Sequence, residues 1–173
     1  MKSKIQLQNV TMLALGSTQI QENLAALQVS MKHIDFGAVK FISHKEPKKM
    51  PKGIVFEKFK GFENITYKEF SYYCIYKLVE HVDTDYMLMI HPDGFVINAD
   101  SWTDEFLEWD YIGAPWQISD NAFIDPYGNH QRVGNGGFTL RSKKLLNVPS
   151  IENIPFEVNQ GNFYKHMNAG AYN

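Results

Sequence analysis

The sequence predicts an α/β fold with three layers, α/β/α, around a mostly parallel sheet. Short apolar runs alternate with stretches whose apolar residues recur at steps of three and four, as strands alternate with amphipathic helices. One run, Tyr86–Ile90, is apolar throughout, as in a central strand covered on both faces. Of the 173 residues, 44% are hydrophobic, which suffices for one core. We therefore expect one domain spanning residues 1–173.

The first strand-helix-strand unit begins with the apolar run Val10–Leu15. Thr18 and Gln21 have the spacing of a capping box, which predicts that a helix begins there. The apolar stripe of this helix consists of Ile20, Leu24, Leu27, Met31 and Ile34. Gly37 is predicted to end the helix before a strand over Ala38–Ile42.

The second unit begins with a strand predicted over Ile54–Phe59. Thr66 and Glu69 form another capping box, and the helix that follows is predicted to end near His81. Its apolar face consists of Phe70, Cys74, Leu78 and Val82. The central strand Tyr86–Ile90 comes next, and this alternation predicts parallel neighbours with helices on both sides of the sheet.

The remaining elements are shorter. Ser101–Glu108 has the pattern of a short capped helix, and Trp102 within it and Trp109 directly after it are expected to pack against the sheet. Tyr111–Ile112 and Gly137–Leu140 are predicted to be short strands.

Composition excludes several classes of protein. Seventeen basic and nineteen acidic residues give a net charge of -2, so no general field attracts nucleic acid or an anionic membrane surface. No apolar run has the length of a signal peptide core or a transmembrane segment, which predicts a cytoplasmic protein. The single cysteine, Cys74, cannot form an internal disulfide and is expected to be a buried thiol without a catalytic role.

Two strand ends are the first candidates for a binding site, because parallel α/β sheets bind ligands beyond the carboxyl ends of their strands. Leu15, Gly16 and Ser17 stand at the first end, and His91-Pro92-Asp93-Gly94 follows the buried strand at the second. The Asp93 carboxylate, with Gly94 beside it, is suited to a divalent cation that bridges two phosphates. His91 is either a second metal ligand or a structural residue. The competing interpretation of Asp93 is an ordinary Pro-Asp-Gly turn.

A glycine segment is the third candidate. Gly134, Asn135, Gly136 and Gly137 permit a sugar to approach the backbone closely, although a hairpin or bulge would also explain them. No Lys-Ser or Lys-Thr pair follows at the spacing of a Walker loop. Trp116, which ends the stretch Asp110-Tyr111-Ile112-Gly113-Ala114-Pro115-Trp116, offers a ring that could stack on a sugar face.

Together, the strand-end motif, the Asp110–Trp116 stretch and the glycine segment resemble the DUF5672 family of bacterial and viral glycosyltransferase-like proteins, over about Val10 to Leu146. The resemblance implies a GT-A fold, Rossmann-like, in which Asp93 binds the metal and the nucleotide sugar. The family usually has Gln or a similar residue in place of His91. The segment from Gly134 to Ser142 is also similar to a glycine stretch of fringe-like and core galactosyltransferases, which lies under the donor sugar and acceptor.

In those relatives an acidic pair downstream of the glycine stretch supplies the base that deprotonates the acceptor hydroxyl. Here the only carboxylates after Arg141 are Glu152 and Glu157, and Glu157 is the one candidate for the base. The ending at Asn173 is abrupt for the family, so the single domain is either complete or truncated at its C-terminus.

The leading hypothesis is a glycosyltransferase that moves a sugar from a nucleotide sugar to a hydroxyl of a glycan or lipid-linked acceptor, with Mn²⁺ or Mg²⁺ as cofactor. The first alternative is a protein that binds nucleotide sugar without turnover. The second is a carbohydrate- or protein-interaction module that uses its tryptophans without a nucleotide.

Overall fold

The computed structural model describes residues 3–59, 65–118, 124, 128–130, 133–134 and 136–156. Its sheet has six strands: β1 (Ile5–Leu15), β2 (Ile34–Ser43), β3 (Val55–Lys58), β4 (Tyr86–Ile90), β5 (Tyr111–Gly113) and β6 (Thr139–Ser142). Their order across the sheet is β3-β2-β1-β4-β6-β5. The pairs among the first four strands are parallel, whereas β6 is antiparallel to both β4 and β5. The predicted mostly parallel, Rossmann-like sheet is confirmed.

Helices connect the strands on both faces of the sheet. They are α1 (Ile20–Ser30), α2 (Tyr67–Tyr72) and α3 (Lys143–Ile151). A π-helical turn over Tyr73–Lys77 and a 3₁₀ turn over Leu78–His81 continue α2. No helix in the described part of the chain has the length and apolarity that crossing a membrane requires.

The core consists of two clusters, because successive side chains of a strand point to opposite faces. Met12 and Ala14 pack with Leu27 of α1 on one face. Leu13 and Leu15 pack on the other face with residues of the α2 region and α3: Tyr73, Leu78, Val82 and Leu146. The predicted three-layer α/β/α arrangement is confirmed.

The start and end of α1 differ from the prediction. The N-cap is Gln19, whose φ is 50°, and no side chain caps the helix, so the predicted capping box of Thr18 is wrong. The helix ends at Ser30, and both Ile34 and Gly37 belong to β2. The reason is steric. A Cβ on Gly37 would lie 2.1 Å from the Gln8 carbonyl oxygen, where β1 bulges, so this glycine admits a close strand contact and does not end a helix.

The capping box of α2 is confirmed. The Thr66 hydroxyl accepts a hydrogen bond from the Glu69 amide at 3.2 Å, and the Glu69 carboxylate accepts one from the Thr66 amide at 2.8 Å. The predicted apolar face is confirmed as well, since Leu78 and Val82 are buried and Phe70 and Cys74 pack against them. Burial raises the pKa of the Cys74 thiol to about 12, which keeps it protonated and inert.

The later elements differ from the prediction in detail. The helix predicted over Ser101–Glu108 is replaced by two 3₁₀ segments, Ala99–Ser101 and Asp104–Glu108, because Trp102 and Thr103 are extended. Trp102 does pack, edge to face with Phe106 at 5.4 Å, but Trp109 is 64% exposed and its predicted packing is wrong.

The last strand also begins later than predicted. β6 starts at Thr139, which leaves Gly137 and Phe138 in the approach to the strand. Helix α3, which the pattern analysis did not predict, follows β6 directly. Ser142 caps it, accepting a hydrogen bond from the Leu145 amide at 3.0 Å.

A polar network lies on the α2 face of the sheet. The buried Lys40 ammonium contacts Glu57 at 2.7 Å and Asp83 at 2.8 Å. The second Glu57 oxygen pairs with Nδ1 of His81, and His81 Nε2 pairs with the Tyr73 hydroxyl. Burial alone would raise the pKa of Glu57, but the hydrogen bonds from Lys40 and His81 lower it below its ordinary value.

Candidate functional site

A topological switch point lies between β1 and β4. From β1 the sheet extends to β2 and β3 on one side, and the chain then returns to β4 on the other side of β1. Ala14 pairs with Ile90, so the carboxyl ends of the two strands lie side by side. Ligands of open α/β sheets bind at such points. The predicted segments Leu15–Ser17 and His91–Gly94 are therefore neighbours at this edge.

The second of these segments is a tight turn. The His91 amide donates to the Gly94 carbonyl at 2.9 Å, and the Gly94 amide donates to the His91 carbonyl at 3.1 Å. Pro92 and Asp93 occupy the tip, where Asp93 is exposed. The turn interpretation and the binding interpretation of Asp93 are thus compatible, because the turn presents its carboxylate to solvent at the switch point.

The glycine segment packs against this turn. A Cβ on Gly94 would lie 3.0 Å from Phe138 Cβ and 3.5 Å from the Gly137 carbonyl oxygen. A Cβ on Gly136 would lie 3.3 Å from a guanidinium nitrogen of Arg141. The structure therefore brings Gly137 to the turn of Asp93, with Gly136 beside Arg141. Asn135 lies outside the described residues.

Trp116 lies over the beginning of the glycine segment. A Cβ on Gly134 would be 2.8 Å from the Trp116 ring, so the absence of a side chain at Gly134 permits this contact. The indole is nevertheless 41% exposed. Trp116 therefore presents part of its ring to solvent beside the glycine segment.

Four buried side-chain polar atoms have no hydrogen-bond partner among the described residues, and all four lie at this edge. They are Asn23 Oδ1, Ser43 Oγ, His44 Nδ1 and His91 Nε2. Ser43 ends β2, and His44 and His91 directly follow β2 and β4. Buried polar groups without partners are rare in proteins, and a bound ligand or water explains them. The four atoms make this edge of the sheet the candidate binding site.

Asn23 extends the site to the start of α1. Its amide nitrogen donates to the Gln19 carbonyl at 2.9 Å and to the Thr18 carbonyl at 3.4 Å, which leaves the buried Oδ1 as an acceptor. A Cβ on Gly16 would lie 2.9 Å from the Asn23 amide nitrogen, so Gly16 permits the amide to lie over the loop.

Asn23, Ser43 and His44 were not identified from the sequence. Ser43 and His44 could have been, because the rule applied to β1 and β4 applies equally to the end of β2. The sequence offered no comparable signal for Asn23, whose position depends on a loop conformation that the predicted Thr18 cap misrepresents.

The electrostatics of the site are set by few charged groups. Burial lowers the pKa of His91 below its ordinary value although the nearby Asp93 carboxylate opposes this, so the imidazole is neutral at neutral pH. Arg141 places its guanidinium beside Gly136, donates from Nε to the Thr139 hydroxyl at 3.2 Å and lies over the Tyr111 ring. Among the described residues, Asp93 thus gives the site an exposed carboxylate, His91 a neutral imidazole and Arg141 a cation.

A protein-only metal site is absent from the part of the chain that the structure describes, where no three metal-binding side chains cluster. Asp93 fits a different kind of site. Mg²⁺ typically binds through one or two carboxylates together with phosphate oxygens and water. The candidate base, Glu157, lies outside the described residues.

Comparison with known proteins gives two similarities. The sequence model of a family described as "Protein of unknown function (DUF5672)" matches residues 48–168, more than half of the chain. Among solved structures, the chain is similar to the crystal structure of the glycosyltransferase GlyE in Streptococcus pneumoniae TIGR4, with 15% sequence identity and a TM-score of 0.46. The similarity covers 88% of this chain but 37% of that one. No curated protein matches the sequence.

Proposed function

The chain belongs to the DUF5672 family, and we propose that it is a GT-A-type glycosyltransferase, which binds a nucleotide sugar at the switch point and transfers the sugar to a hydroxyl. One observation carries this proposal. The four unpaired buried polar atoms lie together at the carboxyl edge of β1, β2 and β4, where the exposed carboxylate of Asp93 also lies.

The unpaired atoms divide the site into two parts. Asn23 Oδ1 and Ser43 Oγ are uncharged and lie toward β1 and β2, and they match the hydroxyls and ring N–H groups of a nucleoside. His91 and Asp93 lie at the end of β4 and match the diphosphate. Asp93 is acidic, so it requires a divalent cation, and that cation when bound neutralises the charge that develops on the departing diphosphate.

The sugar is assigned to the glycine segment. Gly137 lies against the turn of Asp93, Gly136 lies beside Arg141, and Trp116 covers Gly134 while part of its ring stays exposed. Backbone without side chains lets a pyranose approach closely, and an indole offers a flat apolar face to the C–H side of the ring. The similarity of this segment to the fringe-like glycine stretch supports the same placement.

A second candidate function is binding of the nucleotide sugar without efficient turnover. One observation favours it. Between Arg141 and Asn173 the carboxylates are Glu152 and Glu157, which do not form an acidic pair. A general base typically contributes about a hundred- to ten-thousand-fold in rate, so its loss would spare binding and slow transfer.

Thermal shift tests the binding step. We expect uridine diphosphate or guanosine diphosphate together with Mn²⁺ to raise the melting temperature by more than the sum of the separate shifts, because metal and diphosphate bind each other's oxygens. Asp93→Asn should remove this joint effect and leave the melting temperature of the free protein unchanged. Asp35→Asn is the matched control, since Asp35 is also exposed but lies near the opposite end of the sheet.

Two outcomes would contradict the proposal. Additive shifts in the parent protein would show that the metal does not bridge the protein and the diphosphate. A full joint shift in Asp93→Asn would show that the metal binds elsewhere. A hydrolysis assay of the bound nucleotide sugar then separates the two candidate functions: measurable release of free sugar supports the transferase, and tight binding without release supports the second candidate.

A further inference from the structure

A cavity lies on the α1 face of the sheet, beneath the two 3₁₀ segments. It has a volume of about 420 Å³. Its floor is formed by buried apolar residues of the sheet and of the first 3₁₀ segment: Ile34, Leu88, Ala99 and Leu140. Its walls include Val96, Phe106 and Ile112, and its rim includes the exposed Ala114.

The polar side chains that line this cavity already have partners. Asn98 Nδ2 donates to the Ser101 hydroxyl at 2.7 Å, and the Trp102 indole N–H donates to Asp104 at 3.0 Å. Among the residues that the structure describes, none that lines the cavity is charged. Burying the polar groups of a nucleotide or a free sugar here would cost hydrogen bonds that the lining does not replace. The cavity is therefore suited to a hydrocarbon.

The cavity adjoins the candidate site at Phe138. Phe138 lines the cavity and also lies against Gly94, the neighbour of Asp93. A Cβ on Gly94 would be 3.0 Å from Phe138 Cβ. Gly113 and Ala114 line the cavity as well, and two residues later Trp116 lies over the glycine segment. Phe138 thus belongs both to the lining of the cavity and to the surroundings of the turn that carries Asp93.

We propose that this cavity holds the hydrocarbon part of a lipid-linked acceptor, whose hydroxyl-bearing head lies at the turn of Asp93. The inference rests on the proposed transferase function and chooses between its two acceptor classes. A glycan has no hydrocarbon to place in a 420 Å³ apolar cavity, whereas an alkyl or isoprenoid chain fills it and removes its own surface from water.

Calorimetric titration of alkyl β-glucosides tests the cavity directly, with methyl, butyl, hexyl and octyl chains, each below its critical micelle concentration. We expect the affinity to rise by about fourfold for each methylene that enters the cavity. This measurement uses the parent protein, so it does not depend on whether a variant folds. Equal affinity for the methyl and octyl compounds would overturn the proposal.

A filled cavity provides the second test. Ala114→Leu adds three carbons at the rim and should lower the octyl glucoside affinity by about tenfold or more, because it occupies space for at least two methylenes. Ala25→Leu is the matched control, since Ala25 is an exposed alanine of α1 that does not line the cavity. Equal octyl glucoside affinity in the two variants would overturn the proposal.

The nucleotide response distinguishes failure of this inference from failure of the proposed function. Both variants should keep the joint shift with nucleoside diphosphate and Mn²⁺, because neither substitution lies at the switch point. Chain-length dependence without any nucleotide response in the parent protein would overturn the acceptor role together with the transferase. A nucleotide response without chain-length dependence would overturn the lipid-linked acceptor alone.

Discussion

Two buried serines at strand ends show how a single hydroxyl can serve either folding or binding. Ser142 ends β6, donates to Asp110 at 2.6 Å and caps α3 through the Leu145 amide. Ser43 ends β2 and is fully buried, yet its hydroxyl has no partner among the described residues. A buried hydroxyl without a partner costs stability, so the fold explains Ser142, whereas Ser43 has the partner it needs only under the proposed nucleotide-sugar binding.

Alanine substitution of these two serines should have opposite effects. Ser142→Ala should lower the free energy of unfolding by about 1–2 kcal/mol, since a helix loses its cap. Ser43→Ala should leave it unchanged or raise it by about 1 kcal/mol, while the affinity for nucleoside diphosphate falls by about two- to tenfold. Urea unfolding and calorimetry measure the two quantities. Destabilisation by Ser43→Ala with unchanged affinity would show that the hydroxyl has a structural partner.

At the scale of the element, helix starts separate what local pattern can and cannot predict. Thr66 and Thr18 carry the same capping-box spacing in the sequence. Thr66 forms the box. Thr18 does not, because the N-cap of α1 is Gln19, which has a left-handed conformation, and the helix begins at Ile20. The spacing alone cannot distinguish the two, because the loop after β1 is held by Asn23, a contact five residues away from Thr18.

The two threonines give a matched test of this difference. Thr66→Ala should lower the free energy of unfolding by about 1 kcal/mol, because it removes a side-chain cap and the acceptor of the Glu69 amide. Thr18→Ala should change it by less than about 0.5 kcal/mol, since the Thr18 side chain caps nothing. Equal losses in chemical denaturation would mean that α1 begins at Thr18 in solution.

The glycine segment permits a test that separates the sugar from the nucleotide. Gly136→Val places a branched side chain about where the Arg141 guanidinium now approaches, and that flexible side chain can move. We expect the extra affinity of a nucleotide sugar over its nucleoside diphosphate to be lost, with the diphosphate still bound. The comparison needs calorimetry with both ligands. Equal loss of both affinities, together with a lower melting temperature, would instead identify a structural turn.

For the whole molecule, periodicity predicted the layers and the strand ends at Leu15 and Ile90 but not every boundary. Tyr86–Ile90 and the α2 region were placed correctly because burial on both faces and a capped amphipathic stripe are local patterns. Gly37 was misplaced because a glycine is required there by the nearby Gln8 carbonyl, which lies nearly thirty residues earlier in the chain. The apolar cavity could not be predicted, since the segments that line it come from five separate parts of the chain.

Lys40 shows the same dependence on distant partners at the scale of the fold. It lies in the interior of β2 and would be costly to bury alone, but Glu57 on β3 and Asp83 before β4 both contact its ammonium. Burial would lower the pKa of Lys40, and the hydrogen bonds to Asp83 and Glu57 raise it above its ordinary value. The ion pairs of Lys40 therefore link β2, β3 and the segment before β4, which are separate in sequence.

The network predicts how stability depends on acid. The pKa of Glu57 in the folded protein lies below its ordinary value of 4.5, so below that pH the unfolded chain binds the proton first. The contribution of Glu57 to stability is therefore complete above about pH 4.5 and is lost as the pH falls through the folded-state pKa.

Glu57→Gln should lower the free energy of unfolding at neutral pH by about 1–2 kcal/mol, because Lys40 loses one charged hydrogen bond and keeps Asp83. It should also make the decline below pH 4.5 shallower than in the parent protein. Glu46→Gln, on the exposed loop after β2, is the control and should leave the acid profile unchanged. Urea unfolding across the acid range decides the matter, and parallel profiles for the parent protein and Glu57→Gln would show that the network does not control acid stability.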